Sequence, residues 1–446
     1  METEDMISGL PNNIIHSILD FMPTRDAART SILSRNWRFT WASHPKLVFD
    51  KQFFDETINT RKNAACLKNE FLNVINKILL VHSGHIVKFV LYIPKVWVNQ
   101  SPDIDQWILF LSRNGIKELI LFDANHNPYH LPSYLFSRPQ LTRLSLCNCV
   151  IKPLHLSGGF RNLVSLYMKQ ISFDSILFGT LVVKAPLLLQ LKLSSCKGIN
   201  HFNVNAPKLK DLHVSNCHGV ELMCFRSMAN LKDVSIVFSF RKVKDVSISR
   251  CKEEQLHFPV QNSRKGKSIN LISFFDYLPR IRRLTLDGFF LKYLDACNVP
   301  KRLPTAAKKL RHLVLHNFEF NGVDQISCAL CLLRSSPSLE ILKIKVADEH
   351  KDNALESAIH YLEAPDCNEH TMKKLQTVHI SSSKGSKTEL LFIKLLLACS
   401  SSLEKMIIET SKKVDINEGL RISRELMLFS RASPKAEMIF SGSTAS

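Results

Sequence analysis

One pattern, apolar-x-x-apolar-x-apolar, recurs along most of the chain and limits its fold more than any other feature. It is read at Ile116, Leu119 and Leu121, at Leu141, Leu144 and Leu146, and at Leu163, Leu166 and Met168. It continues at Leu188, Leu191 and Leu193, at Leu209, Leu212 and Val214, and at Leu231, Val234 and Ile236. After a gap come Ile281, Leu284 and Leu286, then Leu310, Leu313 and Leu315, then Leu339, Leu342 and Ile344. Leu375, Val378 and Ile380, followed by Leu403, Met406 and Ile408, close the series, and a weaker copy at Ile86, Phe89 and Leu91 precedes it. The last two apolar positions alternate with an outward residue, so they point to one side of a short strand, while the first fills the same interior from the incoming turn. A single unit cannot bury that side alone. Stacked neighbours can, as a solenoid with a parallel sheet along its concave face.

From Leu141 to Leu231 the spacing stays near the ~20–29 residues of leucine-rich repeats. Later spacings stretch, which implies insertions. Pro139, Pro186, Pro207, Pro279 and Pro337 stand just before the first apolar position, where a fixed φ sets the turn and no ladder hydrogen bond is lost. The rhythm breaks between Arg241 and Ser268, a stretch that includes Lys242, Lys244, Arg250 and Lys252 and reads as a basic insertion. Its Arg264-Lys265-Gly266-Lys267 cluster reads as a solvated loop, with a localisation signal or a phosphate-binding loop as the alternatives.

The first fifty residues follow a helical period instead. Ile14, Ile15, Ile18, Leu19 and Met22 form one apolar face after Pro11, and Pro23 ends the run. Thr24 is placed to cap a second helix with Asp26 in its first turn, presenting Ala28, Ile32 and Leu33. Ser34 is placed to cap a third helix carrying Trp37 and Trp41, closed by Pro45. A segment this short buries too little surface to stand alone, so its apolar residues need either the repeats or another protein.

This segment resembles an F-box. The resemblance is carried by Ile7-Ser8-Gly9-Leu10-Pro11, by Ile18 through Ala27 (Ile-Leu-Asp-Phe-Met-Pro-Thr-Arg-Asp-Ala), and by Arg29-Thr30-Ser31-Ile32-Leu33-Ser34-Arg35-Asn36-Trp37 on to Trp41. The phrasing is similar to that of plant F-box proteins with leucine-rich repeats. The resemblance implies docking on the Skp-type adaptor of cullin–RING ubiquitin ligases through Leu10, Pro11, Ile14, Ile18, Leu19, Met22, Pro23, Ile32, Leu33 and Trp37. The C-terminal stretches Leu375–Ile380, Glu389–Lys394 and Ser402–Ile408, and the ending Phe429-Ser430-Arg431-Ala432-Ser433-Pro434-Lys435-Ala436, resemble the FBD domain of the same group.

The expected fold is therefore α/β: an F-box over 1–50, a helical linker over 51–80, and a leucine-rich-repeat solenoid over 81–350 with its irregular basic insertion near 241–268. An FBD region over 351–446 holds the last repeats and a C-terminal cap. In that cap Leu426, Met427 and Phe429 offer apolar cover to the last strand, while Ala436, Met438 and Phe440 alternate as a further strand would.

No catalytic or cofactor motif is readable: there is no GxSxG, HExxH, P-loop or GxGxxG. No metal site is expected either. Cys328-Ala329-Leu330-Cys331 lacks a second pair and reads as two buried thiols. Cys149, Cys196 and Cys217 occupy the repeat's Asn/Cys position, so they read as structural. Cys367-Asn368-Glu369-His370 offers no orienting acid for a nucleophile. The apolar run Leu390–Ala398 is broken by Lys394, so no membrane span is expected, and the acidic start Met1–Asp5 does not read as a secretory signal. The 12 Cys are then reduced thiols of the nucleus or cytoplasm.

What a solenoid offers is a binding face. Its outward positions include Arg143, Tyr167, Lys169, Lys192, His213, Arg283, His312, His316, Lys343 and Lys345. With 59 Lys and Arg against 40 Asp and Glu, a net +19, these suit an acidic or phosphorylated protein target. Aromatics are not interleaved as a single-strand nucleic-acid platform requires. The expected function is substrate receptor of a Skp–cullin–F-box ubiquitin ligase, in contact through the adaptor with the cullin and RING subunits. The alternative is a basic-surface nucleic-acid-binding or non-degradative scaffold protein carrying an F-box.

Overall fold

A computed structural model describes residues 7, 9–57, 63–95, 102–132, 134–135, 140–152, 160–173, 180–198, 201–217, 228–237, 271–295, 299–348, 355–363 and 372–442. The basic insertion near 241–268 and the Cys367–His370 motif lie outside them. The chain forms two compact units, Met1–Lys208 with Cys217–Glu221, and Leu209–Asn216 with Leu222–Ser446.

The first unit opens on α1 (Asn12–Phe21), α2 (Thr24–Arg29), a 3-10 turn (Thr30–Ile32) and α3 (Arg35–Ala42). Ser34 caps α3 as its sequence position suggests, its Oγ accepting from Trp37 N at 3.3 Å. Thr24 does not cap α2. Pro23 takes the cap position, and the Thr24 hydroxyl accepts instead from Val48 N at 3.1 Å, tying the helices to the strand that follows. Trp37 Nε1 donates to Ile7 O at 3.0 Å, and Ser83 N donates to Ala42 O at 2.8 Å.

The sheet of this unit begins sooner than the repeat pattern indicates. Strands Lys46–Phe49, Lys88–Ile93, Glu118–Asp123, Arg143–Cys147, Ser165–Lys169 and Gln190–Ser194 are parallel neighbours in that order. Their register stacks Leu47, Phe89, Leu119, Leu144, Leu166 and Leu191 in one buried row, and Phe49, Leu91, Leu121, Leu146, Met168 and Leu193 in the next. These are the repeat's second and third apolar positions, and period-two alternation keeps both on the interior side. The helices Lys51–Thr57 and Ala64–Val81 are not a spacer. They bury Phe53, Phe54, Leu67, Phe71, Leu72 and Ile75, with Phe49–Phe53 and Phe54–Phe71 edge-to-face at 5.1 and 5.3 Å. The first stretch after the F-box is thus part of the unit's core.

The second unit alternates strands and helices. Strands Asp211–Ser215, Asp233–Val237, Arg283–Asp287, His312–Phe318, Ile341–Val346, Thr377–Ser383, Lys405–Thr410 and Glu437–Ser441 pair in parallel, each with the next. Helices Gly288–Asp295, Val323–Ser335, Leu355–Glu363, Lys387–Cys399 and Ile416–Met427 fill the connections, and this is why the spacing stretches. Val323–Ser335 is buried nearly all round, Cys328 and Cys331 included, and Phe318, Phe320 and Phe392 cluster at 4.9–6.2 Å. Burial pushes the Cys331 thiol up to about 11, as expected of an inert core thiol.

Turns at the strand ends share a feature that the sequence does not announce. Asn148, Gln170, Ser195, Asn216, Asn317 and Ser382 all hold left-handed backbone, with φ between 49° and 60°, at one fixed place in the repeat. Asn148, Gln170 and Asn216 each use the resulting N–H to donate to the last carbonyl region of the following strand, at Lys169, Ser194 and Val237. The next residue in three of these repeats is Cys149, Cys196 or Cys217, and all three are buried. The Cys196 thiol donates to Met168 O at 3.5 Å and that of Cys149 to Cys147 O at 3.4 Å, so these thiols serve the turn.

Candidate binding surfaces

The first surface lies on the N-terminal helices. Helix α1 turns Ile15 and Leu19 inward, α2 turns Ala27 inward, and α3 contributes Trp37 and Trp41 to the same interior. With that core closed, a set of large apolar side chains stays outside: Phe21 is 92% exposed, Ile32 81%, Phe39 69%, Leu33 51% and Ile14 43%. Pro11 and Pro23 are also exposed, while Leu10, Ile18 and Met22 are half-buried. Of the residues singled out from sequence, Leu19 and Trp37 are buried in the helical core. Phe21 and Phe39 were missed, because a helical-period count assigns residues to a face without showing which arc the rest of the chain covers. Single exposed apolar residues are ordinary, but several from α1 to α3 make this the candidate interaction surface.

Behind this surface three imidazoles meet. His44 is buried, its ring 5.8 Å from that of His16 and 6.4 Å from that of Trp41. Its Nε2 lies 3.5 Å from Asp20 Oδ1, which also receives Lys46 Nζ at 2.8 Å, and His82 Nε2 lies 2.9 Å from His44 O. Burial depresses the His44 pKa from 6.5 to about 4 against the pull of Asp20, with His16, Lys46 and His82 adding to the depression. The cluster joins α1 to the segments that follow α3 and the helix Ala64–Val81.

The second candidate surface is the outward face of the sheet, taken unit by unit. In the first unit Lys88, Glu118 and Arg143 share one row; Glu118 lies 3.9 Å from Lys88 Nζ and 3.6 Å from Arg143 Nε. Beyond that paired row stand Val90, Ile120, Tyr92 and Phe122, with the last two stacked at 5.7 Å. Tyr167 pairs in register with Lys192, and Lys169 follows on the same strand. Lys169 and Lys192 have no ion-pair partner among the described residues. The outward Tyr92 and Phe122 were overlooked by a search for polar positions.

In the second unit Arg283 pairs with Asp233 at 3.6 Å, and His213 is half-buried. His312 and His316 are held toward their neutral forms by burial, helped by Arg283 and Lys343 at the first and by Lys345 at the second. Lys343 and Lys345 are exposed. The register sets His379, absent from the sequence-based candidates, directly beside Lys343. Arg143 shares Glu118 with Lys88, and Arg283 stands beside Asp233.

Among the described residues, no group of three or more His, Cys, Asp or Glu could hold a metal ion, and no helix is long and apolar enough to cross a membrane. The buried carboxylates have structural duties. Asp287 accepts from Phe289 N at 2.9 Å and Asn317 Nδ2 at 3.0 Å, and Asp123 accepts from Asn125 N and Tyr129 N, both at 2.9 Å. Glu389 Oε2 accepts from Lys384 N and Gly385 N, both at 3.1 Å, while the Ser386 hydroxyl caps the helix back onto Glu389 N. That arrangement is a capping box in the interior.

The N-terminal helices, with an uncovered apolar surface, precede a parallel-sheet repeat scaffold, the architecture of a leucine-rich-repeat protein with a helical N-terminal domain. Comparison with known proteins gives the family. The F-box domain model matches residues 7–49, and the At1g61320/AtMIF1 LRR domain model matches residues 78–436. The F-box/FBD/LRR-repeat protein At1g13570 of Arabidopsis thaliana is 31% identical over 439 residues, covering 98% of this chain and 99% of its own length. From the same organism, the putative F-box/LRR-repeat protein At3g18150 is 24% identical over 91% of this chain and 87% of that protein, and the probable FBD-associated F-box protein At1g32375 is 22% identical over 98% and 100%. The chain belongs to the F-box/FBD/leucine-rich-repeat family.

Proposed function

We propose that this chain is the substrate-recognition subunit of a Skp–cullin–F-box ubiquitin ligase, without chemistry of its own. The observation that carries the reading is the set Ile14, Phe21, Ile32, Leu33 and Phe39, left outside a helical core that is complete without them. Covering a side chain of this kind contributes roughly 1.5–3 kcal/mol, so a few of them suffice for stable capture of an apolar groove on a Skp-type adaptor. Leu10, Pro11, Ile18, Met22 and Pro23 border the surface, and Leu19 and Trp37 position it. The open sheet faces then hold a protein target, and tethering raises the local concentration of its lysines near the ubiquitin-charged enzyme. The work is done in the nucleus or cytoplasm. The experiment is co-elution of the purified chain with a Skp-type adaptor and a cullin. A single complex supports the reading, and a chain that elutes alone contradicts it.

A further inference from the structure

We propose that the C-terminal end of the second unit is a homodimer surface. On it the strand Glu437–Ser441 pairs antiparallel with the same strand of a second copy, and the helix Ile416–Met427 packs against its counterpart. The inference goes beyond the receptor reading and does not depend on it.

The last strand is left unfinished on two counts. It pairs in parallel with Lys405–Thr410 on one edge, and among the described residues no strand takes the other. Glu437 N donates to Glu404 O at 2.8 Å, so alternation turns the N–H and C=O groups of Glu437, Ile439 and Ser441 toward the paired edge, and those of Met438 and Phe440 toward the open one. The interior rows also stop short of closure. Val378 and Met406 are fully buried ahead of Met438, and Ile380 and Ile408 ahead of Phe440, yet Met438 and Phe440 are themselves only half-buried.

Helix Ile416–Met427 leaves an apolar stripe on the same side. It buries Ile422 and Leu426, and Arg421 Nη2 donates to Gly385 O at 3.1 Å, which turns the Arg421 flank toward the start of the preceding helix Lys387–Cys399. At about 3.6 residues per turn, Ile416, Leu420 and Met427 fall on the opposite flank, roughly a third of a turn from the buried direction, and so toward the open end. All three are exposed.

A second copy is the occupant because both features complement themselves. The open-edge groups of Met438 and Phe440 match those of Phe440 and Met438 of the second copy about a two-fold axis at Ile439. This register sets Met438 against Phe440, Ile439 against Ile439 and Glu437 against Ser441, with no like charges opposed, and it extends both interior rows. The same antiparallel sense brings Ile416 opposite Met427 and Leu420 opposite Ser423, beside Gly419, where a Cβ would meet nothing. Asp415 caps the helix, Glu418 lies in its first turn and Arg424 in its last, so each end meets side-chain charge and dipole of the opposite sign. A two-fold pair closes on itself and leaves no free edge.

The test is sedimentation velocity of the full chain over a micromolar concentration series in reducing buffer. The expected result is a concentration-dependent equilibrium between monomer and dimer. Ile439→Lys opposes two ammonium groups at the axis, and it is expected to weaken the dimer by about tenfold or more, as is Ile416→Gln/Leu420→Gln. These positions are exposed, so the variants keep the wild-type melting temperature at a dilution where all are monomeric. Ile439→Cys is expected to give a cross-linked dimer on copper-catalysed air oxidation, whereas the wild type with its own thiols does not. A chain that stays monomeric throughout, a dimer unaffected by Ile439→Lys, or failure of Ile439→Cys to cross-link overturns the proposal. Growth past the dimer also contradicts it, because a two-fold pairing cannot propagate.

Discussion

Left-handed residues at the ends of the strands show how much of the repeat depends on single backbone conformations. An L side chain in this region costs roughly 1–2 kcal/mol, less for Asn. Asn148, Asn216 and Asn317 suit it; Gln170, Ser195 and Ser382 do not. Ser195→Gly is therefore expected to raise stability by about 0.5–1 kcal/mol, the relieved strain exceeding the added chain entropy. A lower thermal midpoint for this variant counts against the account of the turn. None of this is legible in advance, because the leucine spacing fixes which side chains go inside and leaves the φ of the turn open.

His44 sets a second expectation at the same scale. Its folded pKa, about 4, lies below the unfolded 6.5, so the unfolded chain binds more protons in between. The stabilisation that comes from keeping the ring neutral is fully present above pH 6.5 and is lost as the pH falls toward 4. The unfolding midpoint of the wild type should thus drop between pH 7 and 5 more steeply than that of His44→Gln. Equal slopes would show that another group governs the acid response. The sequence displays the histidines His16, His44 and His82 but not their meeting, since one stands in α1 and the other two just beyond the ends of two later helices.

At the scale of elements, strand positions were readable wherever three apolar residues marked them. The strand Lys46–Phe49 escaped notice because only Leu47 and Phe49 carry the pattern, directly after Pro45. The helices Lys51–Thr57 and Ala64–Val81 looked like a connection because a partner such as Tyr92, 6.3 Å from Phe54, is distant in sequence. The C-terminal cap was legible in outline. Glu437–Ser441 pairs with Lys405–Thr410, setting Met438 beside Met406 and Phe440 beside Ile408. Helix Ile416–Met427 covers the interior with Ile422 and Leu426, whereas Met427 faces outward against expectation. The approach is close: a Cβ on Gly385, at φ +66°, would stand 2.3 Å from Ile422 Cγ1. A chain ending at Arg424 loses Leu426 and the final strand, leaving apolar core and an open edge. It should aggregate or melt earlier while its F-box still binds the adaptor. A soluble truncated chain with an unchanged melting point would make the tail an appendage.

At the scale of the whole molecule, the proposed function uses two surfaces, one left by a helical period and one by the repeat pattern. Stacked leucines bury one side of each sheet and free the other, and the N-terminal helices close their own core while leaving Phe21, Ile32 and Phe39 outside. The net charge of +19 favours acidic partners in general, and local pairing decides where that charge is available. The claim on which the rest depends is that the exposed apolar residues of the N-terminal helices are the anchor to the ligase. The direct measurement is titration calorimetry of the chain with a purified Skp-type adaptor, wild type against Phe21→Ala/Ile32→Ala. The account predicts tight one-to-one binding by the wild type and a loss on the order of a hundredfold or more in the variant, since hot-spot truncations of two anchors typically cost at least ~3 kcal/mol together, with an unchanged melting temperature because both side chains lie outside the core. Equal affinity of the two proteins, or no binding by either, would contradict it.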